Sequence, residues 1–363
     1  MTERTTAAEL LVVGGGVIAL SIAYHCARAG IDVVLLDPDP PGGGAAEATT
    51  RPVRTYQPGK VHNSELTVRG LADYRAFEPA GGADLVLADV GWLVVLTNRD
   101  QASELERELA AQRDAGVEVE LLTAAQACAH NPWLDPAGVE AALWCPQSSL
   151  LDVAKVVRGY ADGAREHGAR LLAGRPVTAL DATTGRVSTL AGEFSAEAIV
   201  LAAGAATGEL AAAAGVDLPL WGQLAELFRT DPVPAGEAPF TVHPESGLKT
   251  LGAGQAFMIG LERISRQAGM RDVWFEETVA EVAKRYPRLK DVRLHSAWTG
   301  SVDVTPDRTA LIGRAGERLF VAAGYTGQDL GQAPATGRIL RDLYLGRSPG
   351  VDLAPFSPAP ISS

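Results

Sequence analysis

Between Glu9 and Asp37 the hydrophobic period of the chain changes twice, and few folds accommodate that change. Leu10, Leu11, Val12 and Val13 form an apolar run with the length and β-branching of a buried strand, closed by Gly14-Gly15-Gly16. From Val17 onward Leu20, Ala23, Tyr24 and Ala27 recur at helical spacing, with Gly30 placed as the stop. Val33 to Leu36 make a second buried strand, which ends at Asp37. The spacing predicts a βαβ unit.

The residues of the turn have separate physical jobs. Gly14 permits a tight exit from the strand, and Gly16 lets a pyrophosphate approach the backbone with no Cβ in the way. Ala19 occupies the third position, where helix and sheet pack closely. Phosphates then meet the N–H groups and positive end of the helix, with Val17 and Ile18 in its first turn. Asp37 follows Gly14 by 23 residues, where a carboxylate accepts hydrogen bonds from both ribose hydroxyls and rejects a 2′-phosphate. These features point to a dinucleotide other than NADP. On their own they do not separate FAD from NAD.

At 363 residues the chain exceeds one small core and points to about two domains. A net charge of −12, with no run of Lys or Arg, argues against nucleic acid and anionic membrane as partners. Cys26, Cys128 and Cys145 lack paired spacing, so no disulfide framework and a reducing, cytoplasmic location are expected. The apolar run from Leu10 to Tyr24 is too short and too glycine-broken for a membrane span. Monomer and homo-oligomer both stay open.

Further along, a proline- and glycine-rich turn (Pro38 to Gly44) leads into Thr49-Thr50-Arg51-Pro52-Val53-Arg54-Thr55-Tyr56. Its two arginines are either a solvated loop or a working pair, one packed over a cofactor ring and the other forking onto a carboxylate. Helices are expected over 62–78, 101–115 and 276–286, and from Asp152, the cap of a strongly amphipathic helix, to Gly168. Strands are expected within 84–97, at 117–122, 169–172 and 177–180, at Ile199 to Ala203 before Gly204, and at 218–230 and 256–261 around a proline-rich excursion. Leu294 to Trp298, Thr299-Gly300, Thr305-Pro306-Asp307, Ile312-Gly313 and Leu319 to Ala323 then lead to Gly324-Tyr325-Thr326-Gly327 and a helix from about Gln332 to Leu345. The tail from Pro349 is expected to fray.

Taken together, the opening unit, Ala202-Ala203-Gly204, the block from Trp298 to Gly313, and Ala322 to Gly327 with Ala333-Pro334-Ala335-Thr336-Gly337 resemble the FAD-dependent D-amino-acid oxidase family, in its glycine oxidase and sarcosine oxidase branch. The resemblance spans nearly the whole chain. It implies an α/β protein with a Rossmann-like FAD-binding domain (1–80, 150–215, 293–350), a discontinuous α+β substrate domain built on an antiparallel sheet (81–149, 216–292), and a C-terminal tail (351–363). The implied reaction is oxidation of the C–N bond of a small amino acid or a secondary or cyclic amine carrying a carboxylate. Hydride passes to flavin N5, an imine forms, and O2 takes the electrons. A flavin dehydrogenase or electron-transferring subunit, and a non-catalytic flavin-binding subunit, are the alternatives.

The implied FAD contacts are Gly14, Gly16, Val17, Ile18, Asp37, Thr50, Arg51, Val177, Ala203, Gly204, Gly300, Gly324, Tyr325, Thr326, Gly327, Gln328, Asp329 and Leu330. Substrate contacts are Arg54, Tyr56, Gln223, Met258 and Gln328, with Arg51 beside the flavin and Arg54 as carboxylate anchor. No metal cluster and no catalytic histidine are expected among His62, His130, His243 and His295. The chain departs from the sarcosine oxidase pattern in three places. Gly300 stands where covalently flavinylated members have cysteine, which implies non-covalent FAD. Gly331 stands at the place of a carboxylate-holding lysine, and Met258 at that of an oxygen-activating lysine.

Overall fold

A computed structural model describes residues 6–40, 50–77, 85–233, 238–261 and 271–358. The later part of the turn expected at Pro38 to Gly44, from residue 41, and Thr49 lie outside those residues. The chain opens with β1 (Thr6–Val13), α1 (Val17–Arg28) and β2 (Val33–Leu36), the expected unit. It continues through β3 (Thr50–Val53), α2 (Val61–Ala76), β4 (Val86–Asp89), β5 (Trp92–Leu96), α3 (Arg99–Asp114), β6 (Glu120–Leu122), α4 (Ala124–His130), β7 (Ala141–Cys145) and β8 (Ser149–Asp152). Next come α5 (Val153–Glu166), β9 (Arg170–Leu172), β10 (Val177–Asp181), β11 (Arg186–Thr189), β12 (Gly192–Leu201) and α6 (Thr207–Ala213). The last part holds β13 (Trp221–Thr230), β14 (Phe240–His243), β15 (Leu248–Ala253), β16 (Ala256–Leu261), α7 (Arg271–Arg285), β17 (Leu294–Val304), β18 (Leu311–Arg314), β19 (Leu319–Ala323) and α8 (Asp329–Tyr344).

The first sheet has a parallel centre in the order β9-β2-β1-β12-β19. Its β1 and β2 cores are buried on both faces, as continuous Leu/Val runs require. The hairpin β10–β11 pairs with the first half of β12, and β18 closes the far edge antiparallel to β19. On one face α1 lies between α5 and α8. Gly337 makes that crossing possible, because a Cβ there would stand 2.7 Å from the Ser21 carbonyl oxygen. Ser21 Oγ also donates to the Ala333 carbonyl at 2.7 Å.

The second sheet runs β17-β13-β16-β15-β14-β5-β7-β6. Every junction is antiparallel except β14–β5, which is parallel. The expected boundary at 293 falls just before β17, which pairs with β13 along its whole length, so 294–304 belongs to this sheet. A third, small sheet, β3-β8-β4, carries Arg51.

Side-chain caps mark the starts of α3, α4 and α5. Asp152 accepts from Lys155 N–H, and Thr123 forms a reciprocal cap with Gln126. The strand expected at 117–122 is shorter, beginning at Glu120, although Val117 and Val119 are buried. In the tail, the turn Ala354–Phe356 docks instead of fraying: Phe356 is buried and meets the His62 ring edge-on at 5.3 Å.

Candidate active site

At the end of β1 the backbone turns under Gly14 (φ +121), where a Cβ would stand 2.2 Å from the Ala202 carbonyl oxygen. A Cβ at Gly15 would press on the Asp37 carboxyl carbon at 2.8 Å. At Gly16 a Cβ would meet nothing within 4 Å, and the start of α1 has no side-chain cap. First-turn N–H groups therefore face open space at the positive end of a helix, the arrangement that holds phosphate. Asp37 Oδ1 accepts from Asp39 N–H at 2.8 Å. Burial raises the Asp37 pKa, partly opposed by the N–H groups of Asp39 and Gly15.

From this turn a single cavity of about 930 Å³ runs past Val177, Ala203 and Gly204 to the second sheet. Its length, the open space at Gly16 and the carboxylate at the β2 end fit the adenosine, pyrophosphate and ring system of a flavin dinucleotide.

Midway, Arg51 and Asp329 form a bidentate pair, with Nη1 to Oδ2 at 3.0 Å and Nη2 to Oδ1 at 2.6 Å. Arg51 Nη2 also donates to the Gly327 carbonyl at 3.3 Å. Burial pushes both groups toward neutrality. Their mutual attraction outweighs it, so Asp329 is held below the usual carboxylate range and Arg51 above its own. Asp303, buried at the end of β17, accepts from Gly324 N–H at 2.5 Å and shapes the loop before α8. Burial first, then the neighbouring Asp329 charge, raises the Asp303 pKa.

At the sheet end, Arg54 lies against the rings of Phe240 (5.6 Å) and Trp92 (5.7 Å). Gln223, Glu226, Lys249, Leu251 and Met258 complete this end. Glu226 Oε2 accepts from Thr299 Oγ1 at 3.0 Å. No histidine is among the described lining residues.

Most residues expected at the site line the cavity: Gly14, Gly16, Val17, Asp37, Arg51, Arg54, Val177, Ala203, Gly204, Gln223, Met258, Thr326, Gly327 and Asp329. Several others do not. Tyr56 is fully buried in the cluster with Trp92 and Leu109, and its hydroxyl donates to Glu108, so it is a packing residue. Gln328 precedes α8, and its side-chain oxygen accepts from Gln57 Nε2 at 2.9 Å, a nitrogen that also donates to the Arg54 carbonyl at 2.8 Å; Gln328 is not among the residues that line the cavity. Ile18 and Leu330 sit in the core, and the Tyr325 hydroxyl pairs with Thr336 Oγ1 at 3.0 Å. Gly324 serves through its N–H to Asp303. Gly300 is paired with Ala225 inside the second sheet rather than lining the cavity, and the backbone of Thr50 pairs with Asp152 in the third sheet. The place of the family lysine at Gly331 is packed shut, because a Cβ there would stand 2.8 Å from Thr67 Cγ2.

Phe240, Leu251, Glu226 and Asp303 had no part in the sequence reading. The first two lie in or beside the strands hidden in the proline-rich excursion. Asp303 could have been found as an acid among the apolar residues of a buried strand end.

Comparison with known proteins agrees with this geometry. A family model described as FAD dependent oxidoreductase matches residues 9–343. Glycine oxidase of Geobacillus kaustophilus is 26% identical over 378 residues, covering 98% of this chain and 97% of that protein. Its crystal structure superposes with a TM-score of 0.83, covering 99% of this chain and 100% of that one, at 24% identity. A D-amino acid dehydrogenase of Rhizorhabdus wittichii is 23% identical, covering 95% of this chain and 98% of that protein. The structure of L-proline dehydrogenase from P. horikoshii superposes with a TM-score of 0.88, at 23% identity and 98% coverage of each chain. No helix among the described residues is long and apolar enough to cross a membrane.

Proposed function

The chain belongs to the FAD-dependent oxidoreductase family, in its glycine oxidase and sarcosine oxidase branch, and from that premise we propose that it oxidises the C–N bond of a small amine or amino acid bearing a carboxylate. As a member it is an FAD enzyme acting on amino acids or amines. The observation that carries the finer reading is the position of Arg54, in the same cavity as the Gly14–Val17 turn but at its sheet end.

FAD, when bound, would supply the two-electron acceptor for oxidation of the carbon that carries nitrogen. Arg54 forks onto the substrate carboxylate and fixes that carbon's orientation. Phe240, Leu251 and Met258 form an apolar wall that excludes water and favours the neutral amine, the form that can lose hydride. This reading requires no protein base, in keeping with the absence of histidine among the described lining residues. The imine product then leaves and hydrolyses. FAD is held without a covalent bond in this reading, which the lack of cysteine, histidine and tyrosine among the described lining residues supports.

O2 is the proposed acceptor. A different acceptor is the second reading, favoured by apolar Met258 at the cavity wall and by the D-amino acid dehydrogenase relative. Anaerobic addition of glycine, D- and L-amino acids, N-methyl amino acids and cyclic imino acids to the yellow protein tests the reaction. Bleaching by at least one carboxylated amine is the expected result, and a flavin that none of them reduces refutes the function. Mixing the reduced protein with air-saturated buffer in a stopped-flow instrument then separates oxidase from dehydrogenase. Heat or acid precipitation should leave the flavin in the supernatant, and flavin retained in the pellet refutes non-covalent binding.

A further inference from the structure

Arg54 is the first residue beyond β3, so no strand pairing fixes its backbone. A side chain three residues further on takes that task. Gln57 Nε2 donates both to the Arg54 carbonyl at 2.8 Å and to Gln328 Oε1 at 2.9 Å. Gln57 and Gln328 stand 271 residues apart in the chain, and neither lines the cavity.

Gln57 is itself held from several sides. It is buried, its N–H donates to Ser64 Oγ at 2.9 Å, and its carbonyl accepts from Gln112 Nε2 and from Lys60 N–H, each at 3.0 Å. Gln112 lies one turn beyond Glu108 on α3, and the Glu108 carboxylate accepts from Gly59 N–H at 2.7 Å. The segment after Arg54 is thus clamped to α3, and the clamp ends in the Gln57 carboxamide.

On the other side, Gln328 closes the loop before α8. Its N–H donates to the Tyr325 carbonyl at 2.9 Å, and Thr326, at φ +52, donates its N–H to the Asp303 carbonyl at 2.9 Å. A threonine in the left-handed region is kept there by its surroundings. Thr326, Gly327 and Asp329 of this stretch line the cavity. Arg51 binds Gly327 and Asp329, and Gln57 supplies a second tie between the same two segments. In sequence Arg54 lies midway between the two ties.

We propose that Gln57 is a positioning residue: it sets the distance between the Arg54 guanidinium and the cavity-lining loop at Thr326 and Gly327, and so governs how a carboxylate is held without touching it. This rests on the reading of Arg54 as carboxylate anchor given above. A carboxamide suits the task, because its nitrogen offers two N–H groups and carries no charge to compete with Arg51, Arg54 or Asp329. Methionine has the same reach and neither donor.

The test compares the holoprotein with Gln57→Met, Arg54→Met and the double variant. Perturbation of the flavin spectrum by acetate and propionate reads carboxylate binding without turnover, and anaerobic flavin reduction by a carboxylated amine reads the reaction. Gln57→Met should keep its flavin, weaken acetate binding about 3- to 30-fold, and raise the half-saturating concentration of the amine by a similar factor. In the Arg54→Met background the same substitution should change either quantity by less than about twofold, because no guanidinium is left to place. Gln328→Met removes only one of the two bonds. It should give a smaller loss with the same dependence on Arg54, and it decides the matter if Gln57→Met does not fold. Unchanged acetate binding in Gln57→Met and Gln328→Met, or a loss equally large with and without Arg54, overturns the proposal. If Arg54→Met itself leaves acetate binding untouched, the anchor reading fails and the positioning role falls with it.

Discussion

Arg51 and Asp329 stand 278 residues apart in the chain and share two hydrogen bonds, of 3.0 and 2.6 Å. The pair ties the third sheet to the first turn of α8, and through the Gly327 carbonyl it holds the loop beside the cavity. Asp329→Asn leaves a half-buried guanidinium without its charge partner, and should destabilise the apoprotein by about 2 kcal/mol at neutral pH. The sign of the pH dependence follows from the depressed Asp329 pKa. Its stabilisation is complete above the ordinary carboxylate value and is lost as pH falls below about 4 through the folded-state value. Denaturation of both proteins at pH 7 and pH 3 should show the gap narrowing at the lower pH. A gap independent of pH would assign Asp329 a purely steric role.

Gly14 and Gly16 should separate folding from cofactor binding. Gly14→Ala forces a Cβ against the Ala202 carbonyl at a positive φ and should cost about 3 kcal/mol or more, read as a large fall in melting temperature. Gly16→Val places its side chain in open space, so the apoprotein should melt close to the parent. It should nonetheless emerge colourless. Retention of stoichiometric FAD by Gly16→Val would remove the phosphate site from this turn.

Arg54→Met keeps the length of the side chain and removes the fork. A charge-assisted pair is worth about 1.5 to 3 kcal/mol, so the half-saturating concentration of carboxylated substrates should rise about 10- to 100-fold while the protein stays yellow. Steady-state kinetics on one good substrate suffices, and unchanged kinetics refutes the anchoring role.

Tyr56→Phe removes the hydroxyl that donates to Glu108. Substrate kinetics should stay within about twofold of the parent, while stability falls by about 1 kcal/mol. A tenfold or greater kinetic defect at unchanged stability would return Tyr56 to the active site.

What could be seen in the sequence divides along the range of the interactions. The βαβ unit was legible because Leu10 to Val13, the helical period after Val17 and Val33 to Leu36 are local patterns, and Asp37 marks its strand end without reference to anything distant. Arg54 was legible through its neighbourhood in a resembling segment. The burial of Tyr56 is not legible locally, because its partners Trp92 and Glu108 come from β5 and α3. The same holds for Gln328, whose side chain meets the distant Gln57. β14 and β15 were hidden because Phe240–His243 is four residues long and follows a proline-rich stretch, so no period can build up. The partner of Arg51 could not be found by any local pattern.

The interlock of α1 with α8 through Gly337 bears on how the protein is made. α1 and α8 stand far apart in sequence and together build one wall of the nucleotide cleft, so a ribosome must deliver both before that cleft can exist. A nascent chain halted after β18 should emerge unable to capture FAD.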